Sequence, residues 1–354
     1  MKNLFIMHTQ YNLIIACGIV KNRCKDDNNI LVLHSEFQVT EQLKHNIEEC
    51  FDKVYYIQKN YSYEQNVFKR DVKLIRYIQD SKEIYKQSFD NIYLSQENPY
   101  DTYLLTKISK HCKFKCYAIE EDVYYSVNNN YNIKPPEEIR KSFLGILRQG
   151  LLNLLLGKNI YYRFIYFYGQ SDIYDANYVL FPEQVREELK NRNLIEITRR
   201  ELYDGINCLY NHVTNEIPQT TKIVLCFFDL IERYKNKEMI TDFIWHISNY
   251  CKDNGYAFVY KYHPRETNKF DIPKYEGFIE IPSVEPAEKL LNDYTGKQVT
   301  VIGNLTTSLW VAKKFGYNVL SLVKLENEDN LAAINALHGM GIKVLNNFNE
   351  VDLV

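Results

Sequence analysis

Residues 257–269 read Ala257-Phe258-Val259-Tyr260-Lys261-Tyr262-His263-Pro264-Arg265-Glu266-Thr267-Asn268-Lys269. The first four form an apolar and aromatic run after the turn signal Asp253-Asn254-Gly255, a pattern that predicts a short buried strand entered from a helix. Pro264 ends it. Proline has no N–H to give to a ladder and biases the preceding His263 towards an extended backbone, which fixes the imidazole at the carboxyl end of the strand. In an open α/β sheet that is where ligands bind. Lys261 and Arg265 flank the histidine, and this cationic neighbourhood suits a phosphate, with the imidazole donating a hydrogen bond or a proton. A histidine on a solvated basic loop would read the same way.

Working outward, the same rhythm repeats on both sides. Ile223 to Phe228 is an apolar strand, Asp229 to Lys237 a polar loop, and Glu238 to Lys252 a helix leading into the His263 strand. Glu285-Pro286-Ala287-Glu288 starts another helix, with the proline near its first turn. Val299 to Gly303 is the next strand, followed at once by Asn304-Leu305-Thr306-Thr307-Ser308. Hydroxyl residues there fall at a helix N-terminus, where free N–H groups and the dipole favour an anion. Helix capping accounts for one hydroxyl; three in succession, in the domain that holds His263, point to phosphate binding. Val319 to Val323 and Ile342 to Leu345 complete the unit.

The N-terminal part alternates in the same way. Leu4 to Met7, Ile30 to Leu33, Val54 to Ile57, Ile92 to Leu94 and Phe114 to Ile119 are short apolar runs, separated by helical stretches such as Gln10 to Lys21 and Val39 to Cys50. Alternation of this kind predicts a doubly wound parallel sheet. The polar residues just past its strands, His8 and Thr9, His34 and Ser35, and Ser95 to Asn98, are cleft candidates, with His8, Thr9 and Asn98 foremost. The strand ending at Ile119 runs into Glu120-Glu121-Asp122, where crowding of like charges raises at least one pKa and makes a general base. An acidic loop in solvent is the other reading.

Between the halves, residues 133 to 212 break the rhythm. Pro135-Pro136-Glu137-Glu138 opens a leucine-rich helix that carries Arg140, Lys141, Arg148 and Lys158 but few acids, and Tyr161, Tyr162, Phe164, Tyr166, Phe167 and Tyr168 follow. Such a surface suits an interfacial membrane helix, a dimer face or a buried interdomain helix. The expected organisation is therefore an α/β domain over 1–132, a helical and aromatic connecting region over 133–218, and a second α/β domain over 219–354.

Composition bounds the function. The chain has 354 residues, enough for two domains, and its net charge of -2 gives no global attraction to nucleic acid. Its eight cysteines are scattered without a Cys-x-x-Cys pair, which reads as reduced core thiols in a cytoplasmic protein. His111, Cys112 and Cys116 come nearest to metal-ligand spacing, but strand alternation would part His111 from Cys112, so no metal site is expected. His8 to Asn12 interrupts what would otherwise resemble a signal sequence ending at Cys17, and no apolar run is long enough to span a membrane.

An acid cluster closing one α/β half and a histidine with hydroxyls in the other match the layout of GT-B glycosyltransferases, two Rossmann-type domains facing across a cleft. At Glu120-Glu121, His263-Pro264 and Thr306-Thr307 the chain resembles bacterial sialyltransferases of glycosyltransferase family 52 and the related polysialyltransferases. Those share a pair of acids followed by glycine, a His-Pro motif and a Ser/Thr pair in this order; the opening Phe5-Ile6-Met7-His8-Thr9-Gln10-Tyr11 is also similar to theirs. Asp122 stands where the family has glycine, which leaves the choice between Glu120 and Glu121 open. The resemblance implies metal-independent, inverting transfer of sialic acid or a related nine-carbon sugar from a CMP-activated donor to a surface glycan such as capsule or lipooligosaccharide, with no further cofactor. It implies Glu120 as base on the acceptor hydroxyl and His263 as donor to the leaving phosphate. Thr306 and Thr307, with Ser308, Pro264 and Lys261 beside them, would form the donor site, and Glu288 is the candidate for the ribose hydroxyls. The expected location is the cytoplasm or the inner face of the cell membrane, with a homodimer as one use of the leucine-rich surface. A CDP-glycerol-type wall-polymer phosphotransferase and a non-catalytic glycan-binding protein are the rival readings.

Overall fold

The computed structural model describes residues 1–34, 37–57, 66–121, 123–127, 143–161, 165–210, 218, 220–234, 236–272, 275–326, 331–347 and 350–351. The chain divides into two compact units, Met1–Leu209 and Tyr210–Val354.

The first unit runs β1 (Lys2–Met7), α1 (Gln10–Arg23), β2 (Asn28–His34), α2 (Glu41–Cys50), β3 (Lys53–Ile57), α3 (Val67–Asp80), α4 (Lys82–Tyr85), β4 (Asn91–Leu94), α5 (Pro99–Ile108), β5 (Lys115–Ile119), α6 (Val123–Val127), α7 (Phe143–Leu156), β6 (Ala176–Val179), α8 (Glu187–Lys190), β7 (Leu194–Glu196) and α9 (Arg199–Leu209). Its seven strands are parallel in the order β3-β2-β1-β4-β5-β6-β7. Both faces of the central strands are covered, which is why β1 reads as an uninterrupted apolar run whose residues Leu4 to Met7 are completely buried. The strand order reverses between β1 and β4, and that reversal opens a crevice at their carboxyl ends. Side-chain caps fix where the helices there begin: Thr9 accepts from the Asn12 N–H at 3.2 Å, and Asn98 from the Asp101 N–H at 3.0 Å.

Helices α1 and α9 pack backbone to backbone. A Cβ on Gly18 would lie 2.1 Å from the Glu201 carbonyl oxygen, and one on Gly205 would lie 2.0 Å from that of Ile14. Arg23 then clamps the pair by reaching the Glu201 carboxylate and the Glu196 carbonyl. The two units differ from the expected division: of the stretch 133–218, the described α7, β6, β7 and α9 fall in the first unit, where β6 and β7 extend the sheet and α9 packs against α1. The start expected at Pro135 lies outside the described residues, and α7 is the described part of the leucine-rich helix.

The second unit contains β8 (Lys222–Phe227), α10 (Lys237–Asn254), β9 (Ala257–Lys261), β10 (Phe278–Ile281), α11 (Ala287–Asp293), β11 (Gln298–Gly303), α12 (Thr307–Phe315), β12 (Asn318–Ser321), α13 (Val323–Glu326), α14 (Leu331–Gly339) and β13 (Lys343–Val344). These six strands are also parallel, in the order β10-β9-β8-β11-β12-β13, with the reversal between β8 and β11. Each unit is thus a doubly wound α/β sheet, as the alternation predicts. Gly255 ends α10 at φ 71, a left-handed cap that turns the chain directly into β9. All eight cysteines are free thiols. Among the described residues no helix is long and apolar enough to cross a membrane.

Candidate active site

In the second unit the crevice lies beyond β8 and β11. Register pairs Phe227 with Lys261 on one side and with Gly303 on the other, so the carboxyl ends of β9, β8 and β11 are level. His263 follows β9 by two residues, Asp229 and Arg233 follow β8, and Thr306 to Ser308 follow β11. The sheet therefore brings the histidine and the hydroxyl cluster to one edge.

The tautomer of His263 follows from its hydrogen bond. Its Nδ1 accepts the backbone N–H of Arg265 at 3.2 Å, across the turn that Pro264 makes, so the proton of the neutral ring is on Nε2. Burial, and next the charge of Arg265, hold the imidazole below its ordinary pKa, while Asp229 pulls the other way. Asp229 is itself paired with Arg233 at 3.2 Å. The result is a neutral N–H donor at a strand end with guanidinium groups nearby. Thr306 is the residue that precedes α12, yet its hydroxyl makes no capping bond, and its Oγ1 is buried without a hydrogen-bond partner. An unused hydroxyl beside the first N–H groups of a nine-residue helix is what an anion would engage.

Lys261 and Glu288 are both buried. The ammonium of Lys261 is buried and donates to the Ser283 carbonyl at 2.9 Å and the Tyr262 carbonyl at 3.2 Å; desolvation lowers its pKa to about 8 against the attraction of Glu288 and Glu285. It joins β9 to the segment that enters α11, and its charge also helps to lower the His263 pKa. Glu288 is buried at the start of α11, and desolvation raises its pKa although Lys261 opposes this.

The crevice of the first unit gathers residues from β1, β4 and β5. Glu120 is buried: its backbone N–H donates to the Tyr178 carbonyl at 3.0 Å, its Oε2 accepts the Leu180 N–H at 3.0 Å, and its own carbonyl accepts from Asn12 Nδ2 at 3.1 Å. Glu121, on the opposite side of the chain, is partly exposed and accepts from Gln96 Nε2 at 3.0 Å. Asp122 lies outside the described residues. His8 is buried and its Nε2 is 2.7 Å from Asp101 Oδ2, the atom that also accepts from Asn98 Nδ2 at 2.9 Å. Thr9 and Asn98 act as helix caps here.

Sequence reading missed Asp101 and, within the stretch Ser95 to Asn98, did not single out Glu97. Asp101 is fully buried inside α5, where a lone acid on a helix gives no signal of its own. With His8 and His34 it forms the one group among the described residues whose three ligand-type atoms lie within 4.8 Å. Glu97, in the stretch flagged from Ser95 to Asn98, has its pKa pushed up to about 7 by burial, partly offset by hydrogen bonds from the Gly169 N–H, Tyr174 and Ser171. His111, Cys112 and Cys116 do not form a cluster: Cys112 accepts from the Phe89 N–H while Cys116 is buried in the core.

No family model matches the sequence, and no curated protein does either. Solved structures do. The α/β-galactoside α-2,3-sialyltransferase of Photobacterium phosphoreum superposes with a TM-score of 0.56 at 12% identity, covering 99% of this chain and 100% of that one. A UDP-N-acetylglucosamine 2-epimerase from Listeria monocytogenes, described as putative, gives 0.60 at 12% identity over 98% and 85%. The enzyme of that name from Neisseria meningitidis gives 0.53 at 13% over 99% and 89%. The likeness shows the fold, a GT-B-like pair of Rossmann-type domains.

Proposed function

We propose that this protein is a glycosyltransferase that moves sialic acid or a related nine-carbon sugar from a CMP-activated donor to a glycan acceptor. The observation that carries the reading is the shared edge of His263 and Thr306 at the β8/β11 reversal. In this reading His263 Nε2–H donates to the phosphate of the departing CMP, and the Thr306 hydroxyl and the first N–H groups of α12 take its remaining oxygens. Arg233, Arg265 and Lys261 supply the positive field, Lys261 also tying β9 to the segment that enters α11, and Glu288 remains the candidate for the ribose. The lowered pKa of His263 in the free protein suits a donor that becomes more basic once a phosphate anion lies beside it.

On the acceptor side, the sugar develops oxocarbenium character as CMP leaves, and a carboxylate at the β5 end takes the proton of the attacking hydroxyl. We assign this role to Glu120, which the partly exposed Glu121 follows. No metal enters the scheme, because the basic and hydroxyl groups meet the phosphate charge. The fold alone is equally at home with UDP-sugars, as the epimerases show, so the nucleotide is the decisive test. Thermal-shift titration with CMP, CDP, UDP and GDP should give stabilisation by CMP above the others, since a ligand that binds only the folded state raises the melting temperature. Stabilisation by UDP alone would reject the CMP donor, and a preference for CDP with release of CMP from CDP-glycerol would favour the wall-polymer reaction.

A further inference from the structure

Helix α7 reads Phe-Leu-Gly-Ile-Leu-Arg-Gln-Gly-Leu-Leu-Asn-Leu-Leu-Leu over 143–156 and contains no acid. One side of it enters the core through Leu152 and Leu156. The other carries Leu147, Leu151, Leu154 and Leu155 into solvent, with Leu154 81% exposed. The adjacent helix α3 adds Phe68, 74% exposed, and Val72 one turn further on. The two helices are joined by a two-pronged bond from the Arg148 guanidinium to Asp71, so their apolar residues belong to one rigid surface. A soluble monomer rarely leaves this many large side chains uncovered.

The charge around the patch says what covers it. Together α3 and α7 hold five basic side chains against two acidic ones, in a chain whose net charge is -2, and one of those acids is the Asp71 already held by Arg148. Arg76 continues the Phe68–Val72 stripe, Lys69 lies beside it, and Lys158 and Lys110 stand at the carboxyl end of α7, the latter within 3.4 Å of a Cβ placed on Gly157. A second copy docked through a twofold axis would set this positive face against itself, which like charges oppose. An anionic bilayer offers both an apolar interior and the opposite charge. Fourteen residues of helix extend only about 21 Å, short of a hydrocarbon core, so the helix would lie in the interface and not cross it.

We propose that the α3/α7 face docks the protein on an anionic lipid surface, with Leu151, Leu154 and Phe68 entering the headgroup boundary and Lys69, Arg76 and Lys158 meeting the lipid phosphates. The inference is independent of which sugar or nucleotide the protein uses. The test is co-sedimentation with phosphatidylcholine vesicles, with and without about 30% phosphatidylglycerol, at low and high salt. The full chain should bind only the anionic vesicles. Leu151→Glu with Leu154→Glu should remove binding, and Lys69→Gln with Lys158→Gln should weaken it by about tenfold or more. Circular dichroism and melting curves of both variants should match the parent, since every replaced residue is exposed. Absence of binding, equal binding to neutral vesicles, or binding that survives the leucine replacements would overturn the proposal. A dimer in analytical ultracentrifugation that the leucine replacements dissociate, without vesicle binding, would assign the face to a second copy.

Discussion

The imidazoles of His8 and His34 lie face to face, with 4.4 Å between centroids and 7° between planes. Both address the same carboxylate, Asp101, at 2.7 Å from His8 Nε2 and 3.5 Å from His34 Nε2. A metal needs its ligands' lone pairs to converge, and those of an imidazole lie in the ring plane, so two parallel rings do not aim at one ion. The arrangement is a buried cluster in which the His8–Asp101 hydrogen bond ties the end of β1 to the first turn of α5, while His34 stacks on His8 and its Nε2 meets the Tyr77 hydroxyl of α3 at 3.4 Å.

That cluster makes stability depend on pH. Burial, then the neighbouring His8, lower the His34 pKa to about 3 against the pull of Asp101, whereas in an unfolded chain it titrates at 6.5. Between those values the unfolded state binds a proton that the folded state refuses. This contribution is therefore complete above pH 6.5 and is lost as the pH falls, by up to about 1.4 kcal/mol for each pH unit. Melting temperatures measured from about pH 7.5 down to about pH 5 should fall less steeply in His34→Phe, which keeps a flat ring in the stack and cannot titrate. Parallel slopes would show that His34 is not the group responsible.

Two glycines should respond in opposite ways to alanine. Gly205→Ala drives a methyl group into the Ile14 carbonyl of α1, and neither backbone can yield cheaply, so we expect a loss of about 3 kcal/mol or more. Gly150, in the exposed run of α7, has nothing within 4 Å of its Cβ position, and Gly150→Ala should raise stability by about 0.5–1 kcal/mol. Urea denaturation of the two variants checks both signs at once.

His263→Ala removes the N–H that meets the leaving phosphate while leaving a half-buried turn able to fold. Transfer should fall by roughly 100-fold or more. His263→Gln retains an N–H donor and should recover part of the loss in kcat. A fully active His263→Ala protein would dismiss the assignment.

EDTA should leave transfer unchanged, because the anion is met by imidazole, hydroxyl and helix N–H groups, and because the stacked His8 and His34 do not form a convergent ligand set. Activity lost to the chelator and restored by magnesium or manganese would place the protein in a metal-dependent class.

What the sequence makes legible follows from burial. Strands covered on both faces, such as β1, β2, β8 and β11, stand out as apolar runs, and Pro264 marks where β9 must stop. The edge strands β7 and β10 escape notice because Glu196 and Glu280 break their patterns, and β6 is only four residues long. Lys261 reads as a phosphate ligand because charge at a strand end suggests a solvated rim; only the packed structure shows the Ser283 carbonyl that holds it. The His8–Asp101 contact joins residues 93 positions apart, and nothing local in either helix or strand announces it. His263 and Thr306 are legible for the converse reason, since each directly follows the strand that delivers it.

The acid pair is the assignment that the geometry tests most sharply. Alternation along the chain sends Glu120 inward, to the Leu180 N–H, and Glu121 outward, to Gln96. If the base is Glu120, as the family resemblance implies, Glu120→Gln should abolish transfer while CMP still binds, because the donor groups belong to the other unit. The amide can still accept the Leu180 N–H through its oxygen, so the fold should survive and the loss report chemistry. Glu121→Gln should then retain measurable activity, since its amide can still meet Gln96. The reverse outcome, an active Glu120→Gln with an inactive Glu121→Gln, would make Glu120 a structural acid and move the base to the partly exposed Glu121. Measuring CMP release with and without acceptor separates the two roles, since a base acting on the acceptor hydroxyl affects transfer more than slow hydrolysis of the donor.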